Sequence, residues 1–156
     1  MRELVGRAFP VGTWLVLLFV LVQFLLAGLG VFADSQFFFW HAAVNSIVVF
    51  LLPLLLVLLG WLGRVPGRLL RLAAAVSGLT LVQSLLLTPY HLNAQGVLRA
   101  VASLHVLNAI LIFWIALQLV ERTRDWSAGA APPAPEHETG VGKVPGPVVP
   151  PSRGEQ

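Results

Sequence analysis

Four long stretches without a charged residue constrain this chain more than any other feature of its sequence. They run over Ala8–Ala33, Ser35–Gly63, Leu72–Leu98 and Ala100–Val120. Each is at least as long as the roughly 20 apolar residues that a helix needs to cross the hydrocarbon core of a bilayer. Only 11% of the residues are Asp, Glu, Lys or Arg, against about 25% in soluble domains, so too little polar chain is present to cover four such segments in water. The sequence therefore predicts an integral membrane protein.

The membrane-crossing segments of this protein are predicted to be helices. Chains cross a bilayer as helices or as strands of closed barrels, and these stretches lack the period-two alternation of barrel strands. The predicted fold is thus all-α, a four-helix bundle in the membrane. Pro53 removes one amide donor from the second span, so we expect a kink that frees the carbonyl of Val49. The predicted spans are Val11–Phe32, Phe37–Leu62, Leu69–Leu87 and Leu98–Val120.

Basic residues indicate which end of the bundle faces the cytoplasm. The first connection carries only Asp34, and the third has no Lys or Arg, although Arg99 lies just inside the fourth span. Basic segments stay in the cytoplasm, so we expect a multi-pass protein of the inner (plasma) membrane with both termini cytoplasmic. These few arginines indicate contact with anionic lipid of the bilayer and not with nucleic acid. Those at the predicted cytoplasmic end are Arg2, Arg7, Arg64, Arg68, Arg71, Arg122 and Arg124.

Both ends of the chain raise further expectations. Arg2, Arg7 and "VFA" before Asp34 also resemble a secretory signal peptide, but the apolar stretch exceeds the usual 7–15 residues, so we favour a retained first helix. From Ser127 onward the chain holds seven of its eleven prolines. Such a composition predicts a disordered cytoplasmic tail over residues 127–156 behind a transmembrane domain over residues 1–126. The absence of cysteine excludes disulfides, thiolate metal sites and iron–sulfur clusters.

The two halves of the chain repeat one order of polar residues. "LVQFLL" at 21–26 recurs as "LVQSLL" at 81–86, and "HAAVNSIVVF" from His41 is echoed by "HVLNAILIF" from His105. Such a repeat predicts two parallel helical hairpins related by an axis along the membrane normal. The second and fourth helices then face each other diagonally across the bundle. The repeated polar residues are Gln23, His41 and Asn45 in the first half and Gln83, His105 and Asn108 in the second.

The two histidines are the predicted ligands of a b-type haem. With the rise of an α-helix, His41 lies roughly 6 Å and His105 roughly 10 Å below the outer start of its helix, so both fall in the outer leaflet. Helix axes about 8–10 Å apart give a bundle diagonal of roughly 11–14 Å. That gap is too wide for direct imidazole contact and suits a flat group held between two rings. Neutral imidazole is a standard axial ligand of haem iron.

Other polar residues complete the predicted haem site. The two asparagines lie one turn deeper on the same faces as their histidines, and the two glutamines lie at neighbouring depths on the other helices, so all four are expected to border the cofactor. Arg99 is the predicted partner of a haem propionate, because a guanidinium pairs well with carboxylates. Tyr90, His91 and Asn93 in the third connection are further possible partners, although His91 is expected to be an exposed loop residue.

Several functions remain open for this polar layer. The first is electron transfer or haem handling without catalytic residues, in concert with a membrane redox partner or larger complex. The second is an accessory or structural subunit, because Gln, Asn and His also hydrogen-bond between transmembrane helices. The third is a site for a quinone or another small molecule. A zinc site that adds His91 to the two histidines is a further alternative.

Short motifs give the chain a resemblance to known membrane proteins. With "LAGLGVF" at 26–32, "FWHAA" at 39–43 and "LHVLNAILIFW" at 104–114, it resembles a family of small bacterial four-helix membrane proteins of unknown function. More distantly, its paired histidine-bearing helices are similar to haem A synthase and other membrane b-type cytochromes. That resemblance implies axial ligation by His41 and His105. Haem A synthase has twice the helices and an acidic residue near its substrate histidines, so the resemblance implies haem binding and not catalysis.

Overall fold

The computed structural model describes residues 2–129, and it is all-α with four helical spans. The first span is α1 (Arg2–Phe32). The second consists of α2 (Phe37–Val44), a π-helical turn (Asn45–Val49) and α3 (Phe50–Gly63). The third is α4 (Gly67–Leu86), followed by the short α5 (Thr88–His91). The fourth consists of α6 (Val97–Ala100), a 3-10 turn (Val101–Ser103) and α7 (Leu104–Gly129).

The surface of the bundle is that of a multi-pass membrane protein. All four spans are long and apolar enough to cross a bilayer. Large aliphatic and aromatic side chains are exposed along each of them, among them Leu25, Ile47, Leu85 and Trp114. In water such a continuous apolar surface would drive association, whereas in a bilayer it faces lipid tails of the same polarity.

The four spans pack in a ring in chain order. The first span contacts the second and the fourth, and the third also contacts the second and the fourth. The second and fourth spans therefore stand diagonally opposite, as the sequence predicts. Within residues 2–129 the long helices that lie diagonally opposite, α1 with α4 and α3 with α7, pack against each other much less than neighbouring helices do.

The bundle is packed most tightly at one end. The packed end, called here the arginine end, holds the start of α1, the connection between α3 and α4 and the end of α7. Its core includes Phe9, Leu69 and Leu119, all buried. Gly60 lets helices approach closely there, because a Cβ at this position would collide with Phe9 and Leu70. The opposite end, called the histidine end, holds His41 and His105.

Several features of the helices differ from the predicted spans. The first helix begins at Arg2 and not at Val11, because the lack of charge marks where the hydrocarbon begins and not where the helix does. The irregularity in the second span is a π turn that ends at Val49, four residues before Pro53. The fourth span is interrupted at Val101–Ser103. Of the predicted disordered tail, only residues 127–129 are described, as the end of α7; residues 130–156 lie outside the described residues.

Candidate functional site

The two predicted ligands come together at the centre of the bundle. His41 lies in α2 and His105 is the second residue of α7, so they reach the centre from diagonally opposite spans. The centres of their imidazole rings are 6.2 Å apart, and the ring planes are inclined by 52°. Both side chains are half-buried. The described residues contain no hydrogen bond between the two rings, so the pair is not held together by direct contact.

Each imidazole is anchored through the same nitrogen. His41 Nδ1 lies 3.1 Å from the backbone oxygen of Gln23, and His105 Nδ1 lies 3.2 Å from the backbone oxygen of Gln83. A carbonyl oxygen can only accept, so Nδ1 carries the proton in His105, and in His41 it does so in the tautomer that bonds to Gln23. In a neutral ring this leaves Nε2 unprotonated. Nε2 has no hydrogen-bond partner among residues 2–129, so each ring presents one unused nitrogen of the kind that binds a metal.

The side-chain amide of Gln23 contacts the backbone of the second span. The orientation that satisfies both ends of this amide has its nitrogen donating to the carbonyl oxygen of His41 at 3.0 Å. The same nitrogen lies 2.9 Å from His41 Nδ1, to which it donates in the tautomer with the proton on Nε2. Its oxygen then accepts from the backbone N–H of Asn45 at 2.9 Å. These contacts lie where α2 passes into the π turn, and the Asn45 N–H also bonds the backbone oxygens of His41 and Ala42 there. Gln23 thus holds both the ring and the backbone of His41.

The second glutamine is held by the second asparagine. Asn108 Nδ2 donates to the side-chain oxygen of Gln83 and to the backbone oxygen of Leu79, the latter at 2.9 Å. These bonds tie α7 to α4 beside His105. Asn45 is less firmly held, because its Nδ2 lies 3.4 Å from the hydroxyl of Ser84. The polar layer therefore links all four spans at the histidine end.

A cavity of about 150 Å³ adjoins the histidine pair. Its polar wall carries five of the seven predicted site residues, and the rest of the wall is apolar. Asn108 does not line the cavity and acts on it only through Gln83. The apolar wall includes small residues of α1 and α7 that the sequence analysis missed. The lining residues are Val20, Gln23, Phe24, Ala27, His41, Asn45, Val49, Gln83, His105, Val106, Ala109 and Ile112.

The predicted propionate partner is not at this cavity. Arg99 is exposed, and its guanidinium carbon lies 5.4 Å from the centre of the Tyr90 ring, in a cation–π contact. His91 also packs against Tyr90, with the ring centres 5.8 Å apart. The third connection folds onto itself through α5 and α6, which carries Arg99 away from the histidines. His91 is exposed, as expected.

The geometry removes one alternative. Within residues 2–129 no three His, Cys, Asp or Glu side chains converge as metal ligands would. His91 is therefore not a third ligand beside His41 and His105, and the zinc alternative finds no support. What converges is a pair of imidazoles, a set of amides and an apolar wall.

Comparison with known proteins adds one relationship. No curated protein and no solved structure is significantly similar to the chain, so the likeness to haem A synthase gains no support. One segment of the chain does match a family model. This segment begins at Gln23, includes His41, Asn45 and Gln83, and ends before His105. Residues 23–89 match the model of a family of unknown function, DUF6220.

Proposed function

We propose that this protein binds one b-type haem between His41 and His105 and serves in electron transfer or haem handling in the membrane. The observation that carries the proposal is the 6.2 Å separation of two imidazoles that reach the centre from diagonal spans. Both rings have Nδ1 within hydrogen-bond distance of a backbone carbonyl, and neither Nε2 has a hydrogen-bond partner within residues 2–129. Helix packing alone gives no reason for this arrangement.

The ring separation fits one metal between two imidazoles. A metal–imidazole bond is about 2.0–2.1 Å and a ring nitrogen lies roughly 1 Å from the ring centre, so two rings on opposite sides of one metal have centres roughly 6–6.5 Å apart. The observed distance falls in that range. With only two protein ligands, the metal must bring its remaining ligands with it, as iron does in a porphyrin. Bare zinc would need further ligands that residues 2–129 do not supply.

The residues of the chain have defined parts in such a site. The backbone carbonyls of Gln23 and Gln83 would hold the two rings in the tautomer that leaves Nε2 as the ligating nitrogen. The amides of Gln23 and Asn108 hold the segments that carry the rings. The apolar residues of α1 and α7 exclude water from the cavity. Haem, when bound, supplies reversible one-electron transfer.

The second candidate is an accessory or structural subunit whose polar layer only joins helices. The bonds from Asn108 to α4 favour it, because interhelical hydrogen bonds of this kind contribute about 0.6 kcal/mol each on average. This function does not account for two Nε2 atoms without partners beside a cavity. A quinone or small-molecule site would use the same cavity, with each unprotonated Nε2 accepting a hydrogen bond from the ligand instead of binding a metal.

The absorption spectrum of the full-length protein separates these functions. We expect protein purified from cells with an ample haem supply to show a Soret band, sharp α and β bands after reduction, and one haem per chain by pyridine haemochrome assay. A colourless protein that also fails to take up added haemin in detergent would contradict the haem proposal. It would leave the structural or quinone function.

We also propose that the arginine end faces the cytoplasm and that the two hairpins are repeats. Arg64, Arg68 and Arg71 are exposed at this end, and cytoplasmic loops carry such an excess of basic residues. The equivalent use of Gln23 and Gln83 by the two histidines supports the repeat. Fused after residue 129, a reporter that is active only in the cytoplasm is expected to be active, and a reporter that is active only in the periplasm is expected to be inactive. Activity of a periplasmic reporter at that position would reverse the orientation.

A further inference from the structure

We propose that a flat, lipid-soluble ligand reaches the histidine pair sideways from the bilayer, through an opening between the first and fourth spans. The identity of the ligand as haem rests on the proposed function. The route rests on separate observations, which concern the wall of the cavity.

The exposed part of the cavity wall belongs to two helices. Among the lining residues only Phe24 on α1 and Val106 on α7 are exposed, at 43% and 61%. The other lining residues are buried or half-buried. Both exposed residues lie within spans, where the surroundings are lipid. The cavity therefore opens toward lipid at the seam between α1 and α7.

The connections at the histidine end do not form the mouth of the cavity. Every lining residue belongs to α1, α2, α4, α7 or the π turn, and none belongs to the connections at 33–36 and 87–103. No charged residue lines the cavity either. Above it, the Phe38 ring packs against Gly30 so closely that a Cβ there would collide with the ring. An aqueous route from the histidine end would therefore not be lined by the polar connections. The contact of Phe38 with Gly30 closes such a route between α1 and α2.

The seam between α1 and α7 is closed by an aromatic contact on its arginine-end side and is lined by small residues toward the histidine end. The rings of Phe24 and Phe113 meet edge to face with centres 6.2 Å apart, which closes α1 against α7 on the side toward the arginine end. Above this contact the seam is lined by two small residues, Ala27 and Ala109. Short side chains on both helices leave space that larger residues would fill. The opening is therefore bounded below by aromatic contact and widened above by alanine.

The volume of the cavity supports a ligand that extends into the seam. A cavity of 150 Å³ holds a molecule about the size of benzene, whereas sites that enclose larger ligands measure about 300–1,000 Å³. A porphyrin centred on the histidines would exceed the enclosed space, so part of its edge would lie in the opening and face lipid. A ligand of this kind partitions into the bilayer before it binds.

Quenching of a fluorescent porphyrin tests the route. Full-length protein in liposomes is loaded with zinc protoporphyrin IX, and its emission is measured with brominated lipids and, separately, with aqueous iodide. We expect strong quenching by the brominated lipids and little by iodide. Val106→Trp, at the mouth of the seam, should slow porphyrin uptake about tenfold. Ile110→Trp is the matched control, because Ile110 is 54% exposed on the same helix and does not line the cavity, and its uptake should equal that of the wild type.

The outcomes separate the route from the function. Quenching by iodide but not by brominated lipid would overturn the lateral route and leave haem binding in place. Equal uptake rates for the wild type, Val106→Trp and Ile110→Trp would do the same. A wild-type protein that binds neither haemin nor zinc protoporphyrin IX would overturn the proposed function, and the route with it.

Discussion

Alanine in place of His41 or of His105 is expected to abolish six-coordinate low-spin haem binding. The centres of the two rings are 6.2 Å apart, which is the separation expected for two ligands of one metal, so on the haem proposal either change would remove a ligand. Each variant should bind haem weakly, as a five-coordinate high-spin species, or not at all. Optical and electron paramagnetic resonance spectra of purified variants measure the change. The control is His91→Ala, which removes an exposed histidine away from the cavity and should leave the spectrum unchanged.

The three histidine variants also test the structural function. If both His41→Ala and His105→Ala keep the low-spin spectrum of the wild type, the assignment of the ligands is wrong. If all variants are colourless and unfold like a colourless wild type, the histidines serve neither as ligands nor as essential packing contacts.

Replacing Gln23 by leucine is expected to weaken haem binding by about 10- to 100-fold, as loss of a group that orients a metal ligand does. The change keeps the backbone carbonyl that accepts from His41 Nδ1 but removes the amide that bridges His41 and Asn45. His41 would then lose the support of its backbone, while thermal stability in detergent should change only by the roughly 0.6 kcal/mol of an average interhelical bond. Haemin titration gives the affinity.

Gln36→Leu is the control for this change. Gln36 is an exposed residue of the first connection, and its side chain makes no hydrogen bond among the described residues. Its affinity for haemin should match that of the wild type. A Gln23→Leu protein with unchanged affinity and an unchanged low-spin spectrum would show that the amide does not position His41.

The sequence was sufficient for the spans and for most of the polar layer. A chain with such long uncharged stretches cannot cover them with polar residues in water, so four membrane-spanning helices are expected, and four are found. The repeated order of Gln, His and Asn placed His41 and His105 at one level because helical rise converts sequence position into depth. The pairing of each histidine with the matching glutamine was not predicted in detail. It depends on which backbone carbonyl of the neighbouring helix lies within reach.

Other features could not be predicted because they depend on contacts between distant segments. The position of Arg99 follows from the way the third connection folds onto Tyr90. The small residues Ala27 and Ala109 carry no signature in an apolar helix, and they matter only because they face one cavity. The π turn is supported by an amide from α1, whereas Pro53, the sequence signal for an irregular second span, lies within α3.

The π turn at Asn45–Val49 lets the second span hold one residue more than a regular α-helix while His41 keeps its direction. A π turn closes its hydrogen bond over one residue more than an α turn does, so it has the effect of a single inserted residue between His41 and α3. Each residue turns a helix by about 100°. A relative that lacks one residue in this turn would form a continuous α-helix and keep four spans. Its histidine would still face its partner, because the wider π turn absorbs about the rotation that one extra residue adds. The histidine would point about a quarter of a turn away only if Asn45–Val49 became α-helical with no residue removed.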